Sequence, residues 1–118
     1  MGYSNPMVTN ETETDHVLDA LGHPTRRQIL ALLREQPLAV GEIAMQLPIS
    51  RPAVSKHLRQ LEAAGLVEYT SIGTRNIFQL RVAGFATART YVERFWEDAL
   101  TRFQHAAEAQ ELANNDTQ

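Results

Sequence analysis

Residues 40–65 read VGEIAMQLPISRPAVSKHLRQLEAAG, and the strongest constraint on the fold is the Pro48-Ile49 link in their middle. Before it, Val40, Ile43, Ala44 and Leu47 recur at helical spacing and give a short helix over 40–47. Pro48 pushes the preceding residue out of helical geometry, so that helix must stop there. Ser50 supplies an N-cap, and a second helix runs from 50 to 64, where Gly65 ends it. Two helices joined by so tight a Pro-Ile link have the helix-turn-helix arrangement.

At about 100° per residue the second of these helices divides sharply. Val54, His57, Leu58 and Leu61 fall on one side, while Arg51, Pro52, Ser55, Lys56 and Arg59 fill the opposite arc. An ordinary solvated face carries mixed charges. This arc holds three cations and no acid, and Glu62 comes only near the far end.

The flanking sequence completes the pattern. Thr14 or Asp15 caps DHVLDALG, with Val17, Leu18 and Leu21 at helical spacing and Gly22 closing it. PTRRQILALLRE follows behind Pro24, with Ile29, Leu32 and Leu33 expected inward and Arg26, Arg27 and Arg34 outward. After Gly65, LVEYTSIGTRNIFQLRV alternates about a Gly73-Thr74 turn and predicts a hairpin. Beyond Gly84, residues 85 to about 111 lack proline and glycine and predict one long helix. The order αααα-ββ-α, mainly α with a β-hairpin wing (α+β), is that of a winged helix-turn-helix. Residues 1–13 are expected as a flexible lead-in, 14–111 as the winged domain with dimerisation helices at both ends, and 112–118 as a disordered tail.

The net charge of -3 conceals a segregation. Residues 1–19 carry four acids and no Lys or Arg. Residues 93–118 carry six acids against Arg94 and Arg102, whereas 20–92 carry nine basic residues against four acids. A basic centre suits a nucleic-acid partner. No stretch approaches the roughly 18 apolar residues of a membrane span, and the acidic N-terminus is no secretory signal, so a cytoplasmic location is expected. The absence of cysteine excludes disulfides and thiol chemistry. With no Gly-rich phosphate loop and no serine-histidine-acid set that the topology would gather, an enzyme is not expected, nor is a cofactor.

In a helix-turn-helix the second helix enters the major groove, its N-terminal residues at the base edges. Arg51 and Lys56 can donate to guanine, Ser55 can pair with several bases, and Pro52 can touch a thymine methyl. Arg59, one turn further on, suits a phosphate, and Thr74 and Arg75 at the wing tip suit phosphates or the minor groove. His57 faces the core side and is expected to pack there.

LGHPTRRQILALL, SRPAVSKHLRQLEAAGLV and GTRNIFQL, in that order, resemble the ArsR family of bacterial winged-helix repressors over residues 16 to about 105. The resemblance implies a homodimeric repressor on an operator of double-stranded DNA overlapping a promoter, with Arg51, Pro52, Ser55 and Lys56 in the base-contacting stretch and Arg75 at the wing tip; twin reading helices about 34 Å apart would select an inverted repeat. Many members respond to metal. The cysteine pair of the third helix is missing here, where Ile43, Ala44 and Met45 stand. His105 and Glu108 match half of a second site type, but Val92 and Arg94 occupy the other half and cannot close a tetrahedral site. No metal site is expected; a small-molecule or protein effector is left unidentified.

On the last helix Phe85, Ala88, Tyr91, Val92, Phe95, Trp96, Ala99, Leu100 and Phe103 form an apolar band wider than packing on one core requires. A two-fold interface through Val17, Leu18, Leu21, Tyr91, Val92, Phe95, Trp96, Ala99 and Phe103 explains it. The alternative, a winged-helix module that binds protein rather than specific DNA, predicts association insensitive to salt.

Overall fold

The computed structural model describes residues 6–116; residues 1–5 and 117–118, the outer parts of the expected lead-in and tail, lie outside it. The elements are α1 (Pro6–Leu21), α2 (Pro24–Glu35), β1 (Leu38–Ala39), α3 (Val40–Gln46), α4 (Arg51–Ala63), β2 (Val67–Ile72), β3 (Arg75–Leu80), a 3-10 turn at Val82–Gly84, and α5 (Phe85–Asp116). The chain divides after Ala88 into two compact units. The first is the winged helix-turn-helix and the second is the remainder of α5. Helix α1 begins at Pro6, well ahead of the cap expected at Thr14 or Asp15, and α5 continues to Asp116.

Apolar periodicity builds the first unit. Ile29, Ile43, Val54, Leu58, Leu61 and Leu66 are completely buried, and Val17, Leu33, Leu38 and Phe78 join them in one core. Each such side chain contributes about 1.5–3 kcal/mol relative to exposure. Phe85 and Ala88, at the start of α5, pack against this core as the sequence suggested. On α2 the inward residues are Ile29, Leu30 and Leu33, with Leu32 only partly covered.

Arg26 corrects the sequence reading. Expected outward, it is 8% exposed. Its Nε donates to the Ala20 carbonyl at 2.8 Å, Nη2 to the Asp19 carbonyl at 3.0 Å and Nη1 to Gln60 Oε1 at 2.6 Å. Arg27 Nη1 donates to the Leu21 carbonyl at 2.7 Å. The last carbonyls of α1 lack helical partners and carry the negative end of the helix dipole, so two guanidinium groups satisfy them. Arg26 thereby joins α1 and α2 to α4.

The sheet has the order β1-β3-β2 and is antiparallel throughout. Strand β1, absent from the sequence reading, pairs Leu38 with Phe78 and Ala39 with Ile77. Two residues are too short to show alternation. The hairpin is closed by Gly73 and Thr74 between the paired Ile72 and Arg75. Gly73 has φ +64°, the pattern of a type II′ turn with glycine first. From Glu68 onward β2 is exposed, so the wing projects beyond the core.

Where α4 ends, Leu66 N–H donates to the Leu61 carbonyl and Gly65 N–H to that of Glu62, a Schellman motif with Gly65 at φ +79°. Gly84 is pressed against this turn. A Cβ added there would run into the Gly65 carbonyl, with its carbon only 2.7 Å away.

Candidate nucleic-acid interface

Helix α4 is held at a fixed angle by both its ends and its apolar face. Ser50 Oγ accepts the Ala53 N–H at 3.3 Å, Pro52 sits in the first turn, and the Schellman turn stops the far end. With Val54, Leu58 and Leu61 fully buried, the opposite arc must face solvent. Arg51, Pro52, Lys56 and Arg59 are exposed there, and Ser55 is partly covered.

The distribution of charge partners separates α4 from the rest of its unit. Arg26, Arg27 and Arg81 donate to backbone carbonyls, Arg34 lies 3.8 Å from Glu35, and Arg75 lies 2.9 Å from Glu42. Among the described residues, no carboxylate is within ion-pair distance of Arg51, Lys56 or Arg59. Three unpaired cations therefore share the outer arc of one short helix. Arg51 leans on the neighbouring helix: a Cβ added to Gly41 of α3 would lie 2.8 Å from its Nη2, so glycine makes room for that guanidinium.

At the wing, Thr74 is exposed at the turn. Arg75, expected to project forward, instead reaches back to α3. Its Nη2 donates to Glu42 Oε1 at 2.9 Å, and that oxygen also accepts the Ala39 N–H at 2.9 Å. Glu42 supplies half of a capping box, since the Ala39 methyl has no polar atom with which to reciprocate. Sequence reading missed this pair because its members are far apart in the chain, although Glu42 three residues after Ala39 is a capping position.

His57 packs on the core side as expected. Its ring lies 4.7 Å from that of His23, whose Nδ1 accepts the Thr25 N–H and caps α2. Its Nδ1 is buried without a hydrogen-bond partner. Burial lowers the His57 pKa from its ordinary value, nearby His23, Arg26 and Lys56 push it the same way, and a hydrogen bond with Gln60 opposes them.

Of the expected interface residues, Val17 is 3% exposed and belongs to the core, so it has no surface to offer a second chain. Leu18 and Leu21 are partly covered. In the second unit Tyr91, Val92, Phe95, Trp96, Ala99 and Phe103 are all exposed, with the Tyr91 and Phe95 rings edge-on at 5.0 Å. Among the described residues no three His, Cys, Asp or Glu side chains gather to hold a metal. Buried Ile43 and exposed Met45 on α3, and Val92 and Arg94 on α5, do not fit one. No helix among the described residues is long and apolar enough to cross a membrane.

The sequence profile described as "Bacterial regulatory protein, arsR family" matches residues 23–69. HTH-type transcriptional regulator Rv2034 of Mycobacterium tuberculosis is 49% identical over 89 residues, covering 75% of this chain and 83% of that one. The chain belongs to the ArsR family. It is a winged helix-turn-helix transcriptional regulator, and its relatives and fold are those of regulators rather than enzymes. Two solved structures, one described as ArsR-like and one as a possible ArsR-family regulator, superpose on it. An ArsR-like transcriptional regulator from Rhodococcus sp. RHA1 gives a TM-score of 0.72 at 31% identity, covering 86% of this chain and 96% of that one. The winged domain of Mb0332 from Mycobacterium bovis, described as homodimeric, gives 0.66 at 28%, covering 84% and 92%.

Proposed function

We propose that this ArsR-family chain is a homodimeric repressor that reads an inverted-repeat operator through α4. The observation that carries the reading is the set of unpaired cations on α4, in a unit whose other cations are engaged. Arg51, Pro52, Ser55 and Lys56 stand on the first two turns, where base edges are reached. Arg59 is a turn further back and grips a phosphate, and Thr74 and Arg75 bring the wing to the backbone. Partly covered Ser55 reads a base at short range, which suits a hydroxyl; exposed Lys56 and Arg51 reach further.

Dimerisation rests on the aromatic stripe of α5, since Val92, Phe95, Trp96 and Phe103 are each at least 60% exposed. The homodimeric Mycobacterium bovis relative supports this assembly. Leu18 and Leu21 remain available to it from α1; Val17 does not. Two-fold symmetry sets paired reading helices about 34 Å apart, one helical turn of DNA. Repression then follows from occupancy, because a dimer over a promoter blocks polymerase access. The inducer is not a metal ion, on the ligand sets that Ile43, Ala44, Met45, Val92 and Arg94 interrupt. The dimer works in the cytoplasm, where its DNA is.

The test is fluorescence anisotropy of the purified protein with its own promoter fragment and a shuffled duplex, from low to high salt. Preference for the promoter and an affinity that falls steeply with salt are expected. Ser55→Ala with Lys56→Ala should lose promoter preference by about tenfold or more while the melting temperature is unchanged. Equal binding by that variant removes the assignment of the reading residues; salt-insensitive association removes the DNA-binding reading.

A further inference from the structure

The cation best placed for the wing to offer a phosphate is already engaged. Arg75 stands directly after the Gly73-Thr74 turn, and its guanidinium is bonded to a carboxylate oxygen of Glu42 at 2.9 Å. A carboxylate oxygen and a phosphate oxygen are the same kind of acceptor for arginine. The pair is solvated, with side-chain exposures of 58% for Arg75 and 47% for Glu42. Solvated pairs of this kind are weak, shifting an equilibrium by about fivefold at most. Glu42 is also fixed in place independently of Arg75, because the Ala39 N–H donates to the same oxygen.

We infer that Glu42 is an internal competitor with DNA for Arg75, holding the guanidinium as a phosphate oxygen would and surrendering it only by exchange. This rests on the DNA-reading surface proposed above. On binding, Arg75 swaps one anionic oxygen for another, so the protein gains less than a free arginine would give. The Glu42 carboxylate left behind is a negative charge on α3, the helix paired with α4, and it opposes the phosphates again. Both effects act on the backbone and not on base identity. Glu42 therefore lowers affinity for every sequence by the same factor, which leaves the ratio of operator to random DNA intact.

Glu42→Gln separates this role from the fold. Glutamine also serves at the third position of a capping box, so the Ala39 bond is kept while the charge is lost. The full chain, its Glu42→Gln variant, Arg75→Ala and the double variant are titrated with promoter and random duplexes at several salt concentrations. Glu42→Gln is expected to bind both duplexes about three- to fivefold tighter, with the salt slope nearly unchanged, because Arg75 reaches the same phosphate in both proteins. In the Arg75→Ala background most of this affinity gain disappears, leaving only the part due to the Glu42 charge itself. Unchanged or weaker binding by Glu42→Gln overturns the inference, as does an affinity gain that persists at full size without Arg75. In the wild type, the Arg75 Nε–H resonance should shift on adding random duplex, and a stationary resonance on bound protein also overturns it. A wild type that binds neither duplex overturns the DNA-binding reading, and the inference with it; a binding wild type with no gain in the variant overturns the inference alone.

Discussion

Gly84→Ala tests the joint between the end of α4 and the start of α5. The added methyl would strike the Gly65 carbonyl, with its carbon at 2.7 Å and Leu66 Cα at 3.3 Å. Carbon atoms rest at about 3.5–4.0 Å, so the backbones must separate by roughly 0.8 Å or more. The obstacle cannot swing aside, being main chain in a Schellman turn held by bonds of 2.9 and 3.0 Å. The Arg81 N–H adds a third, to the Leu66 carbonyl at 2.9 Å. Overpacking of this kind costs about 3 kcal/mol at the upper end, and the entropy alanine removes from the unfolded chain returns at most about 1 kcal/mol. A net loss of about 2–3 kcal/mol lowers the melting temperature by roughly 8–12 °C for a domain of this size. Calorimetry at one fixed protein concentration measures it. Gly73→Ala is the matched control, with φ +64° but nothing within 4 Å of the new methyl, and should cost only about 1 kcal/mol. If Gly84→Ala melts within about 2 °C of wild type, or Gly73→Ala proves the worse of the two, the close-contact argument is wrong.

Three further outcomes are expected. Arg26→Leu strips donors from the Asp19 and Ala20 carbonyls and from Gln60, and should cost about 3 kcal/mol in urea unfolding; Arg26→Lys should recover only part, because one ammonium lacks the fork that spans three acceptors. The His57 pKa is lowered in the fold, so below 6.5 the unfolded chain binds the extra proton more readily, and stability complete above that pH falls as pH drops. His57→Gln should flatten melting temperature against pH between about 7.5 and 5.5, and identical slopes in both proteins would exclude the assignment. Trp96→Glu, placed in the exposed aromatic stripe of α5, should shift sedimentation toward monomer at micromolar concentration; an unchanged profile would move the dimer interface elsewhere.

Helix α4 could be read from its residues because each level agrees. Ser50 caps, Val54, Leu58 and Leu61 keep helical spacing, Gly65 terminates, and the structure buries and exposes the faces accordingly. Arg26 was missed although a signal existed. It lies on the buried side of α2 at the spacing of Ile29, Leu30 and Leu33, and periodicity argued inward where charge argued outward. Its partners, two carbonyls at the end of another helix and an amide 34 residues away, leave no trace in composition. Arg75 could be placed at the wing tip, but its partner could not, since Glu42 lies 33 residues earlier and is brought near only when β3 pairs with β1. Val17 shares its helical spacing with Leu18 and Leu21, and spacing alone does not tell a face buried in the chain's own core from one kept for a second copy. Short strands and long-range polar pairs are tertiary facts; caps and periodic faces are local ones.

The two glycine positions of the hairpin behave in opposite ways. At its base, Gly84 and Gly65 are locked backbone to backbone; at its tip, a Cβ added to Gly73 would meet nothing within 4 Å. Residues could therefore be inserted at 73–74 without disturbing the core, extending or redirecting the reach of the wing. The base fixes where the hairpin leaves the domain, so such insertions would retune one contact while the frame that aims α4 stays as it is. In this scaffold a new target preference can be acquired at the tip of a loop, at little risk to folding.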